Sequence, residues 1–169
     1  SRRGYPVDSV EVDYCGEIRI YEEVVNDILE ADILILAPGS LYSSIIPVFK
    51  VPGLADAVRK NSRALKILIG NLWVQAGETD LSIVDPDRKF HLSDMIRAYE
   101  KNIPGGTHGL FDEVLCIALK DIPGSVLQRY AVEGKSPIYL DRGEIARNWY
   151  TPIECDVYSR DALAERGVI

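Results

Sequence analysis

The sequence contains no Cys-x-x-Cys pair, no apolar run of membrane-spanning length, no excess of positive charge and no glycine-rich nucleotide fingerprint. Each lack removes a class of function. The three cysteines, Cys15, Cys116 and Cys155, are odd in number and far apart, so neither a disulfide framework nor a zinc ribbon is indicated. They read as buried thiols of a reducing compartment. Only two histidines occur, His91 and His108, and neither has a second ligand at zinc spacing. No stretch reaches the roughly 20 apolar residues that cross a bilayer, and no hydrophobic signal core follows Ser1-Arg2-Arg3-Gly4. A cytoplasmic protein off the membrane is the expectation. The formal charge of −7 argues against wrapping nucleic acid or lying on an anionic membrane, since both reward clustered Lys and Arg. Gly-x-Gly-x-x-Gly, the Walker A loop and Gly-x-Ser-x-Gly are all absent, and Ser40 has no identifiable histidine base. A covalent serine mechanism is therefore not expected.

What is present is a chain of 169 residues, 47% hydrophobic, about the size of one domain. Such a chain buries roughly 70% of the surface its unfolded form exposes. Short apolar runs suited to buried strands occur at 33–37, 65–70, 114–119 and 138–140, with a more mixed run at 153–157. Between them, apolar residues recur at helical spacing: Val24, Val25, Ile28 and Leu29; Leu54, Ala57 and Val58; Met95, Ile96 and Tyr99; Val126, Leu127 and Tyr130. Strand and helix alternate, which predicts an α/β fold with a mostly parallel, doubly wound sheet and helices on both faces. The first segment, 4–20, alternates polar and apolar residues loosely and suggests an antiparallel ribbon at the sheet's edge. No glycine loop follows an early strand. Residues 1–169 are accordingly expected to form one α/β domain, the carboxy-terminal part of a larger nucleotide-binding protein.

Two loops could carry chemistry. The first, Pro38-Gly39-Ser40-Leu41-Tyr42-Ser43-Ser44, directly follows a buried strand and precedes a helical turn. Gly39 permits close backbone approach, free amides at a helix start carry partial positive charge, and Ser40, Ser43 and Ser44 add hydroxyls. An ordinary strand-to-helix turn with Ser40 as N-cap accounts for the same residues.

The second loop, Asn71-Leu72-Trp73-Val74-Gln75-Ala76-Gly77-Glu78-Thr79-Asp80, begins where the run 65–70 ends. In a parallel sheet the carboxyl ends of the strands open to one edge, so the two loops should face one crevice. Asn71, Gln75 and Thr79 can hydrogen-bond a base or sugar. Glu78 and Asp80 could hold Mg²⁺ against phosphate oxygens, or simply be solvated loop carboxylates. Asp141 follows the run 138–140 and either faces the crevice or opens a helix. His91 reads as the opener of the helix containing Met95 and Ile96, Tyr130 as core or, alternatively, as a residue that reaches the site, and Arg59, Lys60, Arg63 and Lys66 as a solvated helix end.

Ala31-Asp32, the serine loop through Ile45, Pro47, Val51-Pro52-Gly53, and then Asn71, Gln75 and Gly77-Glu78-Thr79-Asp80 resemble the gluconeogenesis-factor (YvcK-like) proteins in order and spacing. The resemblance continues through Tyr130, Gly134, Pro137 and Asp141. Residues 82–90 look like an insertion, and Ala76 stands where a proline is common. The resemblance implies a Rossmann-like sheet, a UDP-sugar ligand, a role in central carbon metabolism and envelope synthesis, and kinship with 2-phospho-L-lactate transferase (CofD), which uses Mg²⁺. It implies that Gly39, Ser40, Leu41 and Tyr42 contact the ligand, with Asn71, Gln75 and Asp80 nearby.

Two functions stand as expectations. One is a nucleotide-sugar-binding protein held by Gly39, Ser40, Leu41, Tyr42, Ser43, Asn71, Gln75 and Thr79. The other is a transferase that uses a nucleotide-activated donor and Mg²⁺ at Glu78 and Asp80. A homo-oligomer, with neither nucleic acid nor membrane as partner, is expected in both cases.

Overall fold

The computed structural model of the chain describes residues 6–80, 85 and 87–155. Four strands, β1 (Ile33–Leu36), β2 (Leu65–Ile69), β3 (Glu113–Ile117) and β4 (Thr151–Cys155), form one parallel sheet in that spatial order. Parallel neighbours need long crossovers, and helices supply them. The helices are α1 (Glu22–Glu30), α2 (Ile46–Lys50), α3 (Leu54–Lys60), α4 (Leu92–Asn102), α5 (Gly124–Val132) and α6 (Arg142–Arg147). The fold is the expected Rossmann-like α/β arrangement.

The period of two along each strand sorts residues between the sheet's faces. Leu36, Leu68 and Val114 stand in register on one face. They are buried there with Ile46 and Phe49 of α2, Val58 of α3, Met95 and Tyr99 of α4, and Ile145 of α6. Ile117 turns to the other face, where it packs against Ile122 and Val126, with Leu127 and Tyr130 of α5 alongside. That second face is covered unevenly: Ile33, Ile35 and Leu65 remain 55%, 56% and 47% exposed. Among the described residues no single helix is long and apolar enough to cross a membrane.

Several expectations need correction. Residues 138–140 form no strand of the sheet. The Ile138 amide donates to the Leu72 carbonyl, the Tyr139 amide to that of Phe90, and the Leu92 amide to that of Tyr139. The segment is an extended tie between two loops, and its apolar character comes from burial of Ile138 in the main core. The mixed run supplies the fourth strand instead, ending at Cys155; residues 156 and 157 lie outside the described residues. Pro152 is tolerated because β4 is paired with β3 alone among the described strands. Residues 6–20 form no ribbon. They are pinned by separate bonds, Val7 N–H to the Glu78 carbonyl at 3.1 Å and Val10 N–H to Asn102 Oδ1 at 2.9 Å.

Lys60 and Arg63 are exposed as read, but Arg59 and Lys66 were misjudged for the same reason, distant partners. Arg59 donates to the carbonyls of Pro104, Gly106 and His108, and Lys66 is buried, with its ammonium on the Gly109 carbonyl. Burial lowers the Lys66 pKa below its ordinary value. Of the cysteines, Cys15 is exposed because it lies in the unpaired segment before α1, whereas burial pushes the Cys116 thiol up to about 11.

Candidate functional site

Because β1 and β2 are neighbours in register, the chain leaves both at the same edge of the sheet. The serine loop and the second loop therefore meet, as the topology predicts. From Ser40 the chain enters a π-helical turn, Leu41–Ile45, before α2. The Ile45 amide reaches back to the Ser40 carbonyl and the Ile46 amide to that of Leu41, while Pro47 withholds the next donor from the ladder. Gly39 is closely packed here: a Cβ at this position would stand 3.0 Å from Ile45 Cδ1, which would have to give way.

The second loop grips the serine loop residue by residue. Asn71 Nδ2 donates to the Gly39 carbonyl at 2.8 Å, and its Oδ1 accepts the Gly39 amide at 3.2 Å. Gln75 Nε2 donates to Ser40 Oγ at 3.0 Å. Ser43 Oγ donates to Glu78 Oε1 at 2.5 Å, and the Tyr42 amide donates to Glu78 Oε2 at 3.3 Å. Thr79 is buried and holds its own loop, its hydroxyl accepting the Gln75 amide at 2.8 Å. Ser40 makes no side-chain cap to its helix, so the N-cap reading of that residue is not what the structure uses.

These bonds divide the expected site residues by what remains open to a ligand. Leu41 is buried in the core and offers only its backbone. Glu78 has both oxygens engaged and acts as the anion at a helix start. Among the described residues no group of three or more His, Cys, Asp or Glu side chains could hold a metal, and Asp80 is half-buried at the far end of the loop. The amides of Ser40, Leu41 and Ser43 meet no protein acceptor among the described residues. Tyr42 stays a neutral phenol, raised to about 12 by burial and by the carboxylates of Asp8, Glu78 and Asp94.

The loops bound a crevice of about 730 Å³, lined also by Trp73 of the second loop, by Tyr130, and by Glu133 and Lys135, which were not expected. The rings of Trp73 and Tyr130 stack with centroids 4.2 Å apart and planes 24° from parallel. Tyr130 is thus wall as well as core. An aromatic residue inside a polar loop at a strand's carboxyl end was the available signal for Trp73. Asp141 lies elsewhere, opening α6 and accepting Ser93 N–H at 3.1 Å, so the helix-start reading of that residue is the one realised. A second hollow, about 750 Å³, is lined by Thr107, Phe111, Trp149 and Tyr150 at the amino ends of β3 and β4. Three of its polar groups engage one another, Thr107 donating to Glu100 and meeting Tyr150 Oη at 2.6 Å. The crevice at the carboxyl ends is the stronger candidate on chemistry, since Ser40, whose amide meets no acceptor among the described residues, stands in its lining, whereas Leu41, Tyr42, Ser43 and Thr79 do not.

A parallel sheet whose first two strands deliver interlocked loops to one crevice defines a Rossmann-like α/β binding fold. The chain belongs to the 2-phospho-L-lactate transferase CofD family, whose sequence profile matches residues 5–158. A gluconeogenesis-factor homologue of Aquifex aeolicus is 33% identical over 150 residues, 86% of this chain and 39% of its own length. The gluconeogenesis factor of Bacillus subtilis is 31% identical over 123 residues, 73% of this chain and 35% of its own. A crystal structure of a UPF0052-family protein from Bacillus halodurans superposes with a TM-score of 0.68 at 28% identity, covering 80% of this chain and 40% of that one. The chain thus spans between 35% and 40% of the length of these three relatives.

Proposed function

We propose that the crevice binds a nucleotide-sugar of the UDP-sugar type, and that the protein acts as a cytoplasmic, gluconeogenesis-factor-type binding protein linked to central carbon metabolism and envelope synthesis. The observation that carries this reading is the serine loop, held from behind by Asn71, Gln75 and Glu78, with the amide of the crevice-lining Ser40 left without an acceptor among the described residues. Backbone donors fixed in this way suit a phosphate, and a ring can lie on the aromatic wall. Calorimetry with UDP-, GDP- and ADP-sugars tests the reading. Saturable binding of a UDP-sugar is expected, weakened in Gln75→Ala; no heat with any nucleotide ends it.

The family match supports a second reading, a Mg²⁺-dependent transferase using a nucleotide-activated donor. Such an enzyme works by positioning and electrostatic stabilisation, and Mg²⁺ on Glu78 would have to displace Ser43 or Tyr42 N–H. The residues fit a magnesium site poorly on that count, and Asp80 is the carboxylate left to test. Turnover lost in Asp80→Asn with nucleotide binding retained supports the enzyme; absence of any product across acceptors removes it.

A further inference from the structure

Among the described residues Glu133 and Lys135 are the only ionic side chains lining the crevice, and they come from neither loop. Both stand at the end of α5. The helix closes with Gly134 at φ 72°, a backbone region that side chains disfavour, and its amide bonds the Ala131 carbonyl. The Lys135 amide then returns to the Tyr130 carbonyl at 2.9 Å. This reversal lays the lysine across the last helical turn, with Nζ 5.3 Å from the centre of the Tyr130 ring and 2.8 Å from Glu133 Oε2. Each side chain of that ion pair is 46% exposed, a degree at which such pairs are weakly held and readily exchanged.

Two further atoms of the crevice's lining residues lack partners. Trp73 Nε1 and Gln75 Oε1 are buried and make no hydrogen bond among the described residues. Buried polar atoms are normally satisfied, so this donor and acceptor leave the two lining residues incompletely bonded. The serine loop contributes amides and hydroxyls but no cation, in a chain of net charge −7. A diphosphate seated on that loop still needs a positive charge nearby.

We propose that Lys135 is a ligand-binding residue of this crevice: its ammonium leaves Glu133 and pairs with the diphosphate of a nucleoside diphosphate on the serine loop, beside the Trp73–Tyr130 wall. The proposal rests on the nucleotide reading of the crevice. In this structure Glu133 holds the lysine over Tyr130; with ligand, the phosphate replaces the carboxylate as a point-charge partner.

Binding of uridine, UDP and a UDP-sugar is measured by calorimetry on the wild type, Lys135→Ala and Lys135→Arg, at several salt concentrations. Lys135→Ala is expected to weaken UDP and UDP-sugar by about tenfold while leaving uridine and the unfolding midpoint unchanged, and to flatten the salt dependence of UDP binding. Lys135→Arg should keep most of the affinity. Equal UDP affinity in wild type and Lys135→Ala overturns the proposal and leaves the nucleotide reading standing. Parallel weakening of uridine and UDP also overturns it, since the effect would then lie in the aromatic wall. No binding of UDP or UDP-sugar by the wild type removes the nucleotide reading and this proposal together.

Discussion

Asn71 spends both ends of its amide on Gly39, and this single residue fixes how close the two loops stand. Asn71→Ala leaves a glycine amide and carbonyl without their partners and is expected to cost about 1–3 kcal/mol in urea unfolding. The same variant should weaken any ligand of the crevice. Arg59 does comparable work near the amino ends of the strands, its guanidinium reaching three carbonyls between Pro104 and His108. Arg59→Lys keeps the charge but loses the fork, and a loss of about 1–3 kcal/mol is expected in the same measurement. The sequence made Asn71 legible, because a polar residue just after a buried strand must face the crevice edge. Arg59 was not legible. Helical spacing shows which way a side chain leaves its helix, but not that a loop 45 residues on will fold over it.

Among the elements, α4 shows what local pattern can specify. His91 was read as its opener, and the structure places it at the N-cap, its amide donating to Asp94 Oδ2 at 2.9 Å. Arg88 and Arg97 also donate to Asp94, at 2.8 and 2.5 Å. Burial alone would raise the Asp94 pKa, but the His91 amide and the two guanidinium groups outweigh it and hold the carboxyl below its ordinary value. A carboxylate lowered in this way contributes stability that is fully present above its unfolded pKa, near 4, and is lost as pH falls through the folded value. Asp94→Asn should therefore lower the unfolding midpoint at pH 7 and shrink the decline below pH 4, read from thermal unfolding between pH 2.5 and 7. The segment 138–140 shows the opposite case. Three apolar residues in a row state only that the backbone is buried, and whether a strand or a loop tie buries them is decided by neighbours far along the chain.

For the molecule as a whole, the two faces of the sheet are unequal. Leu68 is fully buried among α2, α3 and α4 side chains, whereas Ile35 on the adjacent strand faces outward. Leu68→Ala is expected to cost about 2–5 kcal/mol. Ile35→Thr keeps a β-branched residue on an exposed face and should stay within about 0.5 kcal/mol; equal losses in urea titrations would show that the outward face is covered in solution. Continuous apolar strands announced that both faces favour burial. They could not say that the described helices would bury one face deeply and reach the other mainly through α5.

The lock between Gly39 and Asn71 also constrains how such a sequence can drift. A side chain at 39 crowds Ile45, which must give way, and a different residue at 71 abandons two backbone groups, so exchanging either alone is expected to loosen the loop. The two sites should be inherited as a unit. A homologue lacking asparagine at the position matching 71 is expected to have abandoned the serine loop's shape as well, however similar its remaining residues, and that pair becomes a sharper test of shared ligand chemistry than percentage identity.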